Sequence, residues 1–436
     1  MHPPAPTRAF PLTALAAALG LAFALTAGGA RAQASSAPPP DGWYAGAALT
    51  VGTDSNPLRR PEGFERDAGT ITSATLLGGV DLRPGRQRVY ADARVTNTRY
   101  GSLPDLDFNG YSLNGGLDWE TVARLSGAVK VELGRQLGSY GTAEAIETTD
   151  RYLVTTRRLD TLWRLGDYRT SRLWIEATAG TERRVGETQP CTPPSIFTGV
   201  RECERTERVN HLGAEVKHRL GGALVIGVGV RGERGDEARG LVDFIGTRAD
   251  TTDEYDRLDL DLTATWRPTG ASTLTGRVSA ARVDYELNAF REDRRGGAGT
   301  LAWEWQPTGK LWFDTRLAYD TRTRGIGAVD EGNEPAAAFS IDARWSATAK
   351  IGVTAGVRAS SRRLSRIDSE GVTQRERVHR QGLTLGASYA ITRVFSFSCN
   401  LSHDRRSGGT TRIEEAIVAR DFGATAGSCS AQAVFQ

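Results

Sequence analysis

Beyond residue 27 the chain has no apolar run long enough to cross a membrane as a helix, and it shows no long stretch of 3.6-residue periodicity. Together with 50 glycines, these absences weigh against an α-helical protein. Histidine is scarce as well. Four follow the leader, His211, His218, His379 and His403, and none stands in a Gly-x-Ser-x-Gly, His-Glu-x-x-His or Cys-x-x-Cys setting. His403-Asp404, at a strand end, reads as rim rather than as part of a triad. Gly227-Val-Gly-Val-Arg-Gly232 has no helix after it and so reads as strand rather than phosphate loop. The expectation is a non-enzymatic chain without cofactor or metal.

The one strongly apolar segment is a leader. Arg8 supplies a positive start, Phe10 to Ala27 an apolar core, and Ala30-Arg31-Ala32 a small-x-small cleavage site, so residues 1–32 read as a secretory signal peptide. Residues 33–42, with Ala37-Pro-Pro-Pro40, read as a short disordered lead-in, and 43–436 as one domain. Without the leader, 53 Lys and Arg face 52 Asp and Glu, a net charge of +1. No surplus of either sign recommends nucleic acid or a polybasic membrane contact.

What the chain does have is period-2 alternation. Leu258, Leu260, Leu262, Ala264 and Trp266 alternate with Arg257, Asp259, Asp261, Thr263 and Thr265. Leu311, Phe313, Thr315, Leu317 and Tyr319 alternate with Trp312, Asp314, Arg316, Ala318 and Asp320. A soluble sandwich and a membrane barrel share this pattern, but three features select the barrel. Aromatics end the apolar faces next to short turns, connections alternate between short and long, and the strands exceed the usual five or six residues. The aromatic girdle comprises Trp119, Trp163, Trp266, Trp305, Trp345, Tyr389 and Phe435. Mean hydropathy is only −0.38, as expected where lipid-facing and inward residues average out.

The expected fold is therefore an all-β, antiparallel, up-and-down transmembrane barrel of about 18 strands. Tight connections fall at 83–87, 121–124, 165–170, 219–222, 268–271, 307–309, 348–349 and 391–393. Longer polar ones fall at 54–69, 185–205, 235–252, 324–336, 364–377 and 406–419. Short turns mark the periplasmic side of the cell outer membrane of a Gram-negative organism, and an even count puts both termini there. The partners this implies are outer-membrane lipid and, through the near-terminal Phe435, the barrel assembly machinery.

The predicted inward face carries Asp92, Arg94, Lys130, Glu132, Arg158, Asp160, Glu176, Glu215, Lys217, Arg231, Glu233, Asp259, Asp261, Arg277, Asp314, Arg316, Asp342, Arg344 and Arg358, with Trp174 and Trp312 as aromatic platforms for sugar rings. Two readings stay open: a polar path, or a lumen zipped by Arg–carboxylate ladders. Cys191 and Cys203 share one polar segment, where a bridge suits an oxidising compartment. Cys399 and Cys429 fall opposite each other on the apolar face, as a disulfide or as two thiols.

Gly52-Thr-Asp-Ser-Asn-Pro-Leu-Arg59, Leu106-Asp-Phe-Asn-Gly-Tyr111, Trp303-Glu-Trp-Gln-Pro-Thr-Gly-Lys-Leu311 and Trp345-Ser-Ala-Thr-Ala-Lys-Ile351 resemble segments of the EpsL-type outer-membrane barrels of exosortase (PEP-CTERM)-associated exopolysaccharide clusters. The resemblance spans the mature chain and rests on structural junctions. It implies a role in exopolysaccharide biosynthesis or export, with an extracellular polysaccharide and periplasmic export components as partners, and no catalytic residues. The cysteine pairs and the terminal Gln436 depart from the family pattern. The alternatives are a diffusive porin for small solutes and a structural or adhesion barrel acting through its outer loops.

Overall fold

The computed structural model describes residues 42–436 except 123, 139–150, 168, 192–199, 244, 287–293, 321–335, 368–372, 409, 414–415 and 420. The leader (1–32) and nearly all of the lead-in lie outside the described residues. Gly42, assigned to the lead-in from sequence, already opens the first strand.

The barrel strands are β1 (Gly42–Asp54), β2 (Gly69–Leu82), β3 (Arg88–Tyr100), β4 (Phe108–Glu120), β5 (Leu125–Leu137), β6 (Arg151–Leu165), β7 (Leu173–Gln189), β8 (Val200–Leu220), β9 (Leu224–Asp243), β10 (Arg248–Thr269), β11 (Ser272–Tyr285), β12 (Arg294–Thr308), β13 (Leu311–Asp320), β14 (Ala336–Ser346), β15 (Ile351–Ile367), β16 (Thr373–Ala390) and β17 (Phe395–Ser407). A small hairpin, β18 (Thr410–Ile413) with β19 (Ala416–Ala419), lies in the next connection, and β20 (Phe422–Phe435) completes the chain. Sequence neighbours pair antiparallel throughout the barrel. Leu49 of β1 stands opposite both Ala74 of β2 and Ala431 of β20, so the sheet closes on itself and leaves no free edge. The chain is an 18-stranded, antiparallel, up-and-down transmembrane β-barrel.

Alternation sets the two faces. Leu212, Val216 and Leu220 of β8 point out and are exposed, as are Val228 and Val230 of β9 and Leu258, Leu260 and Leu262 of β10. Inward positions on the same strands carry Glu215, Lys217, Arg231, Asp259 and Asp261. Apolar outside and charged inside inverts a soluble sheet protein and suits lipid as the solvent. On β8 the apolar stretch covers residues 212–220, roughly 20 Å of height for strands tilted near 40°.

Six of the seven girdle residues, Trp163, Trp266, Trp305, Trp345, Tyr389 and Phe435, are exposed at the short-turn end. Trp119 is half-buried because it packs edge-on against Trp163, ring centroids 5.2 Å apart. Gly127 makes this contact feasible: a Cβ there would lie 2.6 Å from the Trp119 ring and 2.3 Å from the Leu162 carbonyl. Trp43, Trp303, Phe395 and Phe397 are also exposed near this end, and Trp303 stacks on Trp305 at 5.4 Å. Trp303 was missed because only the last aromatic of each strand was counted.

The largest departure from the sequence reading lies at the long-loop end. The segments expected as loops 185–205 and 235–252 are largely strand, since β7 runs to Gln189, β8 begins at Val200, and β9 and β10 pair up to Val242↔Arg248. The ladder outruns the alternation there because both faces meet water and neither needs apolar side chains. Cys191 and Cys203 are joined at the top of the β7–β8 hairpin, with Cα atoms 5.5 Å apart. Cys399 and Cys429 are joined across β17 and β20, with Cα atoms 4.0 Å apart.

Candidate functional site

The barrel interior gathers the polar side chains, and its two halves differ. From β6 to β13 most of the inward carboxylates are held in a ladder of ion pairs and hydrogen bonds. Glu176 is one hub: it accepts from Trp174 Nε1 at 2.9 Å, Arg164 Nε at 3.2 Å and Lys217 Nζ at 2.8 Å. Lys217 also reaches Glu215 at 3.4 Å, and Thr263 Oγ1 donates to Glu215. Arg158 binds Asp160 at 2.6 Å, with Glu182 at 3.9 Å and His211 3.7 Å from Asp160. Arg231 and Arg257 share the almost fully buried Asp259 at 2.7 and 2.8 Å, and Arg257 extends to Asp320 at 3.1 Å. Asp261 receives Ser279 Oγ at 2.5 Å and lies 3.9 Å from both Arg231 and Arg277. Tyr255 donates to Glu233 at 2.8 Å, and Arg316 binds Asp314 at 2.8 Å. Breaking one member strands its partner's charge, so this wall is stiff.

The other expected inward charges are less engaged. Asp92 accepts a 3.1 Å bond from the Asn114 amide. Arg94, Lys130, Glu132, Asp342 and Arg358 make no ion pair within 4.0 Å among the described residues, although Glu132 faces Arg158, and Lys130 faces Asp160, across one strand pair. Glu304, Asp314 and Asp342 stand side by side on β12, β13 and β14.

The two inward tryptophans differ in access. Trp174 is only 5% exposed, its N–H is taken by Glu176, and the Arg219 guanidinium lies 5.7 Å from its ring centroid. Trp312 carries the Arg344 guanidinium over one face at 4.6 Å. Both rings point inward; Trp174 is closed off by its burial, whereas Trp312 has a cation over one face. Inward direction follows from parity, whereas covering depends on cross-strand partners that a single strand's sequence does not display.

Across the barrel, from β16 through β17 and β20 to β1, β2 and the long-loop half of β3, the middle of the inward face is a wall of hydroxyls and amides. β17 contributes Ser396, Ser398, Asn400 and Ser402, which face Ser388, Gly386 and Thr384 of β16 on one side and Gln432, Ser430 and Ser428 of β20 on the other. Thr50, Ser73, Thr75, Thr96 and Thr98 continue it. Thr50 Oγ1 meets Ser430 Oγ at 3.0 Å, Ser73 meets Thr98 at 2.9 Å, and Thr75 meets Thr96 at 3.0 Å. The sequence reading listed only charged and aromatic inward residues and so passed over this wall. Its signal was the period-2 run Ser396-x-Ser398-x-Asn400-x-Ser402.

At the long-loop end, residues 55–68 fold back onto the inner wall. Arg59 adopts a left-handed φ of 54° and sends its guanidinium to Asp54, the last inward residue of β1, at 2.9 Å. Ser55 N–H and Glu62 N–H donate to the carbonyls of Thr425 and Asp421, at 2.9 and 2.7 Å, beside the buried inward residues Phe422 and Ala424. Leu58 and Leu106 are buried together, with Tyr100, Leu103, Leu137 and Tyr152 packed around them. Among the described residues, no group of three or more His, Cys, Asp or Glu could hold a metal ion.

No protein-family model matches the sequence, and no curated protein matches it. Among solved structures, the FrpB iron transporter from Neisseria meningitidis aligns over 91% of this chain and 81% of its own, at 10% identity and TM-score 0.46. The ferric citrate transporter FecA aligns over 92% and 79%, at 9% identity and TM-score 0.48. The ferric-catecholate import receptor Fiu from E. coli K12, in its closed form, aligns over 91% and 82%, at 10% identity and TM-score 0.48. At this level the chain is similar to them in general shape, and neither their cargoes nor their residues transfer to it.

Proposed function

We propose that this chain is a non-enzymatic outer-membrane barrel that passes or guides a hydrated glycan during exopolysaccharide secretion. Its short turns and both termini lie in the periplasm. The observation that carries this reading is the neutral hydroxyl and amide wall of β16, β17, β20, β1 and β2 with Thr96 and Thr98 of β3, set against a largely charge-balanced ladder. A moving polymer needs many weak, exchangeable hydrogen bonds and no site deep enough to hold it. Serine, threonine and asparagine side chains supply such bonds to sugar hydroxyls. An 18-stranded barrel is wide enough for an aqueous path. The resemblance to EpsL-type proteins supplies the polymer class and points to periplasmic export components as partners.

The test is polymer accounting in cells. A strain lacking the chain is expected to lose secreted polysaccharide and retain polymer in the cell-associated fraction. Replacing the wall with apolar residues (Ser398→Val, Asn400→Leu, Ser402→Val) is expected to cut secretion while small-ion conductance persists. Unchanged polymer in both fractions would discard the glycan role. Loss of small-solute uptake in its place would make the chain a diffusive porin.

A further inference from the structure

The outward face of β6, β7 and β8 carries an arginine row that the interior does not explain. Arg157 stands directly opposite Arg183, and Arg183 directly opposite Arg208. All three side chains are exposed and point away from the interior, because Leu159, Ile175 and Leu212 share their parity. Side chains directly opposite in a ladder have Cβ atoms only about 5 Å apart, so three guanidinium groups in register repel one another.

No carboxylate bonds the row directly. Among the described residues, none of the three side chains makes an ion pair within 4.0 Å or a hydrogen bond. Leu133 flanks the row beyond Arg157, and Asp236 stands opposite Arg208 without forming an ion pair within 4.0 Å. Glu254, one strand further, is held by Arg234 at 2.7 Å. Elsewhere on this outer rim, Arg234 and Arg282 do have acidic partners, Arg282 with Asp284 at 2.8 Å. The unpaired row is therefore a local feature.

Its height is also informative. Arg157, Arg183 and Arg208 lie eight, ten and twelve residues from the short-turn ends of their strands. For strands tilted near 40°, that is about 20, 25 and 30 Å above the short-turn edge, which brackets the top of a roughly 25 Å apolar band. Below Arg183, β7 presents Thr181, Ala179 and Ala177 between the bulkier Leu159 and Leu212, a shallow strip beneath the cations.

We infer that this row binds the phosphate groups of an anionic outer-leaflet glycolipid, with an acyl chain along the small-residue strip of β7. A planar guanidinium donates two parallel N–H bonds to a phosphate, and a phosphorylated headgroup at this depth supplies the counter-charge the row lacks. The inference rests on the short turns facing the periplasm and is independent of what passes through the interior.

The experiment uses the full-length barrel in detergent, titrated by native mass spectrometry. The probes are bis-phosphorylated lipid A, the same lipid freed of phosphate, and inorganic phosphate. Bis-phosphorylated lipid A is expected to stay bound, with the dephosphorylated lipid at least about tenfold weaker. A triple variant (Arg157→Gln, Arg183→Gln, Arg208→Gln) is expected to lose that preference, whereas Arg234→Gln keeps it. Should the triple variant fail to fold, Arg183→Gln at the centre of the row is expected to lower affinity several-fold by itself. Equal binding of the two lipids, or full affinity in the arginine variants, overturns the proposal. Competition by inorganic phosphate at matching affinity overturns the lipid assignment and leaves a free-anion site. Normal polysaccharide secretion by the triple variant bears on neither outcome.

Discussion

Asp107 shows how one residue orders the mouth of the barrel. Its carboxylate accepts the Tyr100 N–H at 2.7 Å and the Arg99 guanidinium at 2.9 Å, while Arg151 donates to its carbonyl at 2.6 Å. Burial would raise its pKa, but the Tyr100 N–H and Arg99 together outweigh that and hold it below the usual carboxylate value. Because the folded pKa is depressed, the stabilisation is complete above the unfolded value of about 4 and is lost as pH falls through the folded one. Arg99 is largely exposed, so its share is screened and the backbone bond dominates. Amide exchange at Tyr100 and 101–107, corrected for intrinsic rates, is expected to show constant protection from pH 8 to about 5 and a fall below about 4. In Asp107→Asn the acid-dependent step should vanish. An equal acid step in that variant would assign the effect to another group.

At the level of elements, legibility tracked the solvent. Where a strand lies between lipid and interior, apolar and polar residues must alternate, and the barrel strands were readable from that alternation and from tight turns such as Pro84–Gln87, where Gly85 takes a φ of +66°. Above the membrane the constraint lapses, and Glu204-Arg-Thr-Glu-Arg208 continues β8 without an apolar face to betray it. The hydroxyl wall on β17 was present in the sequence as a period-2 pattern, yet its meaning depended on its neighbours β16 and β20 also presenting small polar groups. The Cys399–Cys429 bridge belongs to the same scale. It links β17 to the closing strand across 30 residues, including the β18–β19 hairpin. Loop closure of that length is worth about 3.6 kcal/mol in the chain-entropy account. Reduction, or Cys399→Ser with Cys429→Ser, is expected to lower the temperature at which the folded band converts to the unfolded one on gel electrophoresis. An unchanged conversion temperature would mean that the lipid-facing pairs of the sheet already hold the closing strand.

For the whole molecule, if the interior is the path proposed above, division of labour around the barrel sets what it transmits. The β6–β13 side spends most of its carboxylates on its own cations, the opposite side offers mainly neutral hydrogen-bonding groups, and residues 33–436 are nearly neutral at +1. A path built this way has little field to sort ions by sign. On the proposed reading width governs passage, and segment 55–68, tied to Asp54, Thr425 and Asp421, is expected to narrow the mouth. Replacing 57–66 with two glycines removes Leu58 and Arg59 but leaves β1 and β2 in register. In planar bilayers the shortened barrel is expected to conduct more, and its preference is expected to move toward cations because loss of Arg59 leaves Asp54 uncompensated. Arg358→Glu, which reverses an unpaired inward charge, is expected to shift that preference toward cations without changing the width. Unaltered conductance after the deletion would place the narrowest point elsewhere in the barrel. An unchanged preference after the deletion would mean that another cation at the mouth takes up the Asp54 charge.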